Sequence, residues 1–199
     1  MNFSQIKEKL KDKTVGVAGC GGLGSNCAVA LARVGVGKLI IADFDVIDEG
    51  NLNRQYFFYH QIGEKKSLCL QQNIHLINPT TRVTAHDLML DSNNIYEIFK
   101  DCDVIVEAFD KAEMKQMIIE AVLDKLPQTP LVIGLGVAGW GDNNSIGCRQ
   151  LDYLYICGDE KREVTDQLPP LAPRVGIVAN MQANTVLEIL LKDSSWTLY

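Results

Sequence analysis

The sequence predicts an α/β fold: a mostly parallel central sheet with helices packed on both of its faces, in a single domain spanning residues 1–199. Three observations predict it. Short apolar runs alternate with longer amphipathic ones along the chain. The first apolar run, Thr14-Val15-Gly16-Val17-Ala18, passes straight into Gly19-Cys20-Gly21-Gly22-Leu23-Gly24. The second, Leu39-Ile40-Ile41-Ala42, ends on Asp43 about 24 residues after Gly19, the spacing at which an acid closing a second strand meets ribose hydroxyls in a Rossmann-like unit.

Each element has its own signal. An amphipathic helix is expected from Phe3 to Leu10, ahead of the first strand at Thr14–Ala18. A helix from Leu23 to Val34 should stop at Gly35, whose left-handed backbone suits a helix end, and lead into a strand at Leu39–Ala42. Lys65 to Ile77 reads as a helix halted at Asn78-Pro79, and Arg82 to His86 as a strand. Val104 to Glu107 is a buried strand, Ala112 to Leu126 a helix, and Leu131 to Gly134 another buried strand. Ser145 to Ile156 alternates as antiparallel strands do, Asp159 to Gln167 is a charged loop, and Val175 to Leu191 is a long closing helix.

Composition narrows the class of function. A hydrophobic content of 47% in 199 residues supports a substantial core. The net charge of −6 argues against nucleic acid as the main partner. No apolar run reaches membrane-spanning length, and the start, Met1-Asn2-Phe3-Ser4-Gln5, lacks the long apolar region of a signal peptide. A cytoplasmic location is therefore expected.

The glycine loop is a place for phosphate. Gly19 permits a tight turn, Gly21 lets a ligand approach the backbone, and Gly24 lets the following helix lie close on the strand. Free N–H groups at the helix start favour an anion. The polar residues downstream of the loop separate ATP from a dinucleotide. Asn51, Arg54 and Gln55 lie on one polar segment, Lys66 comes after it, and Asp110 stands just past the strand ending at Glu107. Ligands of doubly wound sheets collect outside the carboxyl ends of strands, so Asp43 and Asp110 can face one crevice. Two cations and a second carboxylate suit a triphosphate with magnesium better than a nicotinamide.

The order of these elements resembles the ubiquitin-activating, E1-like enzymes, whose bacterial members include ThiF, MoeB and HesA. The resemblance rests on Gly19-Cys20-Gly21-Gly22-Leu23-Gly24-Ser25, then Asp43-Phe44-Asp45, Asn51-Leu52-Asn53-Arg54-Gln55, Lys66, Asp110 and Leu171-Ala172-Pro173-Arg174-Val175-Gly176. It extends from about Thr14 to about Leu191. It implies an E1-like adenylation domain binding ATP and Mg2+, with Gly19, Gly21, Gly22 and Gly24 forming the phosphate loop. Asp43 would bind the ribose, Arg54 and Lys66 the phosphates, and Asp110 the magnesium, while Asn51 and Gln55 would complete the pocket. It implies a ThiS-like ubiquitin-fold sulfur carrier as partner, adenylated on its C-terminal Gly-Gly carboxylate in thiamine or related sulfur metabolism, and a homodimer. The Tyr56-Phe57-Phe58-Tyr59 patch and the last helix are the candidate contacts.

The chain also departs from that family. Longer relatives carry two CxxC pairs for zinc, but Cys20, Cys27, Cys69, Cys102, Cys148 and Cys157 include no such spacing, and no structural zinc is expected. A reduced, mostly buried set of thiols is the ordinary reading, with Cys20 set apart because a helix start lowers a thiol's pKa. The position where many relatives keep a conjugating cysteine falls near Thr165, in a segment without a thiol. Met1 to Ala32 contains no arginine, where relatives have one reaching a partner subunit's phosphate; Lys7, Lys9, Lys11 and Lys13 stand there instead. Three alternatives remain: an enzyme activating another small carrier, a small carboxylate or a modified tRNA base; a nicotinamide-dependent Rossmann oxidoreductase; and a noncatalytic scaffold.

Overall fold

A computed structural model describes residues 1–192. Its sheet has seven strands, β1 (Thr14–Ala18), β2 (Lys38–Ala42), β3 (Arg82–His86), β4 (Val104–Glu107), β5 (Leu131–Leu135), β6 (Gly147–Leu151) and β7 (Leu154–Gly158), in the order β3-β2-β1-β4-β5-β7-β6. All neighbours run parallel except β6 and β7. The α-helices among the described residues are α1 (Phe3–Leu10), α2 (Gly22–Val34), α3 (Lys66–Ile77), α4 (Ile95–Phe99), α5 (Ala112–Lys125) and α6 (Ala172–Leu191). The chain builds outward from β1 through β2 to β3, then returns to lay β4 on the other flank of β1. That reversal opens a crevice beyond the carboxyl ends of β1 and β4.

Two cores fill the two faces. On one, α1, α2, α3 and α6 pack Leu10, Leu31, Leu70, Ile74 and Val178 against Val15, Val17, Leu39 and Ile41. On the other, α4 and α5 pack Ile95, Phe99, Ile118 and Val122 against Ile40, Ile105 and Leu131. Each such side chain removed from water stabilises the fold by about 1.5–3 kcal/mol before chain entropy is counted.

The α/β expectation holds, with local differences. The short α4 does not show in the sequence pattern because five residues carry little helical periodicity; its Ile95 and Phe99 are both fully buried. Phe99 also explains Gly16, where an added Cβ would sit 2.6 Å from the ring. α6 starts at Ala172 rather than Val175, with proline in its first turn, a position where the missing N–H is harmless. β6 and β7 form the expected antiparallel hairpin, and β7 also extends the parallel sheet along β5. Much of the apolar surface of α6 is used inside the molecule, its Val175, Val178, Ala179, Ala183 and Val186 lying in the core, while Ile177 stays exposed. The aromatic patch divides as well: Phe57 is buried, while Phe58 and Tyr59 are exposed.

Candidate functional site

The glycine turn is built for close approach. Gly19 takes φ +96 and donates its N–H to the Ala42 carbonyl at 2.9 Å. A Cβ on Gly24 would stand 1.9 Å from the Gly19 carbonyl oxygen, so the first turn of α2 lies on the strand end with no room for a methyl. Gly21 is different: a Cβ there would meet nothing nearer than the Gln55 amide nitrogen at 3.8 Å, and a Cβ on Gly22 would touch Val175 and the Arg54 stem. Gly24 thus serves packing, whereas Gly21 leaves its face open beneath Gln55.

Asp43 sits at the end of β2 and points at this turn. Its two carboxylate oxygens accept the Cys20 N–H at 2.6 Å and the Asp45 N–H at 2.8 Å. Burial pushes its pKa above the usual carboxylate value, against the pull of those N–H groups and of Lys66. Four lone-pair positions on a carboxylate leave room for hydroxyl donors besides the two backbone bonds.

The polar segment after β2 is tied to α2. Asn26 donates to the carbonyls of Gly22 and Arg54 at 2.7 and 2.9 Å, and the Ser25 hydroxyl accepts the Tyr56 N–H at 2.9 Å. This brings Arg54 over Gly22 and Gln55 over Gly21. The Arg54 guanidinium donates to the Gly50 carbonyl and the Asn53 side chain. Gln55 is buried with its Oε1 unpartnered, an orphaned acceptor beside an open glycine face. Lys66, 6% exposed, pairs with Asp45 at 2.8 Å. Asn51 is placed differently: its side chain accepts the Asp48 N–H while Asp48 accepts its own, closing a 3-10 turn over Glu49–Asn51. The carboxamide expected to complete the pocket braces the segment that carries Arg54 and Gln55.

Asp110 lies beyond the carboxyl end of β4, exposed, and its carboxylate meets no hydrogen-bond or ion-pair partner among the described residues. Beneath it is a buried pair that the sequence did not point to. Glu107 is fully buried, accepts the Phe109 N–H at 2.6 Å, and is held by Lys115 Nζ at 2.9 and 3.0 Å. Lys115 also donates to the Gly134 carbonyl, and Gln182 of α6 to the Glu107 carbonyl. Burial pushes the Glu107 carboxyl up, and Lys115 opposes it. A charged residue closing an otherwise apolar strand was the available signal.

A second such pair shapes the far wall. Arg174, in the first turn of α6, reaches Asp159 and the Gly141 carbonyl, with both charged side chains 2% exposed. Asp159 also accepts the N–H groups of Lys161 and Arg162. The loop at 136–141 thereby lies along the crossover at 159–170, joined by Gly139 N–H to Pro169 and Ala138 N–H to Arg162. Thr165 spends its hydroxyl on the Leu168 N–H, closing a tight turn.

Cys20 overturns its expectation. It is wholly buried, and burial, followed by the charge of Asp43, lifts its pKa well above the ordinary thiol value despite Lys66. Among the described residues, no group of three or more His, Cys, Asp or Glu is arranged to hold a metal ion, and no helix is long and apolar enough to cross a membrane. A cavity of about 780 Å3 lies at the opposite, amino ends of the strands, lined by Pro127, Pro130, Leu151, Tyr153 and Ile189. It gathers none of the groups above.

Parallel strands diverging around β1, a close-packed glycine turn, and an acid closing β2 define an α/β domain of the Rossmann type. Within that class, the chain belongs to the ThiF family, matching it over residues 3–198. It is 32% identical over 197 residues to the adenylyltransferase and sulfurtransferase MOCS3 of Caenorhabditis briggsae, covering 95% of this chain and 48% of that protein. It is 34% identical over 129 residues to the sulfur carrier protein adenylyltransferase of Thermus thermophilus, covering 64% of this chain and 47% of that protein. The chain thus spans about half the length of these relatives. Among solved structures it is similar to E. coli tRNA N6-threonylcarbamoyladenosine dehydratase, TcdA, in complex with AMP (TM-score 0.84, 21% identity, 94% of this chain and 89% of that one). It is also similar to E. coli MccB with ATP (TM-score 0.72, 22% identity, 94% and 58%). At such identities the likeness establishes the fold.

Proposed function

We propose that this protein is an ATP-dependent adenylyltransferase that activates the C-terminal Gly-Gly carboxylate of a ThiS-like ubiquitin-fold sulfur carrier, acting as a homodimer. The observation that carries the reading is the orphaned acceptor of Gln55 beside the open face of Gly21, with Arg54 packed over Gly22, Lys66 at the start of α3 and Asp110 beyond the end of β4. The named adenylyltransferases among the relatives support it.

In this reading the free N–H groups at the start of α2 receive a phosphate, and Asp43 accepts the ribose hydroxyls. Arg54 and Lys66 neutralise phosphate oxygens as the carrier carboxylate attacks the α-phosphorus. A new carboxyl–phosphorus bond forms, the bond from the α-phosphorus to the bridging oxygen breaks, and pyrophosphate leaves with that electron pair. Cations fixed before the reaction lower the repulsion between two anions most where charge develops. An exposed, unpaired carboxylate at a phosphate crevice fits the donor set of Mg2+, which binds through one or two carboxylates plus substrate phosphates, so Asp110 would hold it. Bound there, the ion would screen the phosphate charge.

The test is pyrophosphate exchange with ATP and small Gly-Gly carriers. Exchange is expected with a ThiS-like carrier and not without one, falling roughly a hundredfold in Arg54→Ala and in Asp110→Ala with circular dichroism unchanged. Near-normal exchange in either variant would remove that residue from the site. Tight NAD binding without an ATP signal in calorimetry would end the adenylation reading altogether. TcdA, named as a tRNA-modifying enzyme, matches over most of its length and supplies a second reading, in which ATP activates an RNA-borne carboxylate. The net charge of −6 favours the protein carrier.

A further inference from the structure

On the edge hairpin of the sheet, Cys148 of β6 and Cys157 of β7 stand directly opposite each other in the antiparallel register, with their sulfurs 3.7 Å apart. Thr185 of α6 closes a triangle, its hydroxyl 3.5 Å from the Cys148 sulfur and 3.6 Å from that of Cys157. Cys148 is exposed, and the other five cysteines are buried.

We infer that Cys148 and Cys157 form a reversible two-electron redox site, in which a hydroperoxide oxidises Cys148 and Cys157 resolves it as an intramolecular cross-strand disulfide. The geometry is already near that of the product. Residues opposed across an antiparallel pair have Cα atoms about 4.5–5.5 Å apart, inside the roughly 4.4–6.8 Å that a disulfide spans. Closing the sulfurs from 3.7 Å to about 2.05 Å is within the reach of side-chain rotation on a hairpin at the sheet edge. The roles follow from exposure. Cys148 meets solvent and the Thr185 hydroxyl can donate to its thiolate, whereas burial raises Cys157 to about 12 and keeps it a thiol until a partner sulfur is presented.

The chemistry balances. The Cys148 thiolate attacks one oxygen of the hydroperoxide, the O–O bond breaks, and water (or an alcohol) leaves with Cys148 as sulfenic acid. The Cys157 sulfur then attacks the Cys148 sulfur, the S–O bond breaks, and the departing hydroxide takes the Cys157 proton to leave as water. Two electrons pass from the two sulfurs to the peroxide. Fixed proximity gives the second step the advantage over further oxidation.

Hydrogen peroxide itself is the probe, applied to the whole protein and followed by alkylation and peptide mapping. The expected result is the loss of two titratable thiols, a mass lower by about 2 Da, a peptide linking Cys148 to Cys157, and full return with dithiothreitol. In Cys157→Ser, Cys148 should be trapped as sulfenic acid by dimedone, and in Cys148→Ser no thiol should be lost at the same peroxide dose. Thr185→Val should slow the oxidation of Cys148 severalfold. Cys148 advancing to sulfinic acid while Cys157 stays free, a Cys148-linked dimer, a different linked pair, or no thiol loss would each overturn the inference.

Discussion

Asp43 and Asp159 both stand just beyond the carboxyl ends of strands, both are largely out of water, and their environments push them in opposite directions. Burial dominates at Asp43 and raises its pKa; at Asp159 burial also pushes upward, but the N–H groups of Arg162 and Lys161 and the Arg174 and Arg162 guanidiniums outweigh it. The first carboxylate stands at the glycine turn and is under-compensated by the protein's own groups; the second is enclosed by protein and compensated by them. The difference separates a group that the fold leaves short of partners from a group that has them already, as expected where binding sites trade stability for function.

The largest test of that division lies within the glycine loop. Gly24→Ala places a methyl against the Gly19 carbonyl and should cost about 4 kcal/mol or more in urea unfolding. Gly21→Ala should change stability by about 1 kcal/mol and yet weaken ATP binding at least tenfold, because its methyl enters the open face. Equal effects of the two substitutions on stability would break the distinction between packing glycine and ligand glycine.

Next in size is the enclosed pair. Arg174→Met removes the buried partner of Asp159, leaving it two N–H groups and the more distant Arg162 guanidinium, and should destabilise by about 3 kcal/mol, while Asp159→Leu with Arg174→Met should recover most of that loss. Chemical denaturation of the two variants reads it directly, and the single substitution without effect would show that the crossover at 159–170 does not depend on the pair.

The smallest and most diagnostic effect is the pH dependence. Asp159 has a folded pKa below 3.8, so its stabilisation is complete above 3.8 and is lost as pH falls through the folded value. Asp43 has a folded pKa above 3.8, so its penalty is present above that folded value and disappears as pH falls toward 3.8. Relative to Asp43→Asn, the unmodified protein should therefore gain stability on acidification; relative to Asp159→Asn it should lose stability. Parallel pH profiles for the two variants would contradict the opposite shifts.

The legibility of the sequence divides along the same line. The strands β1, β2 and β4, the glycine turn and Asp43 were legible because their determinants are local: an apolar run, a glycine, an acid at fixed spacing. The family reading from the Asn51-to-Gln55 segment was borne out over residues 3–198. Arg174 was not legible as a clamp, since its partners Asp159 and Gly141 lie 15 and 33 residues away and only the crossover brings them together. The turn closed by Asn51 was hidden for another reason: its hydrogen bond to Asp48 is one of several an amide can make, and the sequence alone does not show which. Cys20 failed because the helix-start argument concerns a thiol near solvent, and this one is sealed under the turn.

The open sheet leaves two edge strands with unpaired backbone groups, the kind of surface along which chains join into fibres. Both edges are five residues long. On β3, Gln71 of α3 occupies the Val83 carbonyl at 2.7 Å, and Arg82 and His86 stand at the strand's two ends. On β6, Arg149 sits in mid-strand, forked onto Glu160. A neighbouring molecule approaching either edge meets a charge or an acceptor already taken, so the sheet can stop at seven strands without a barrel to close it.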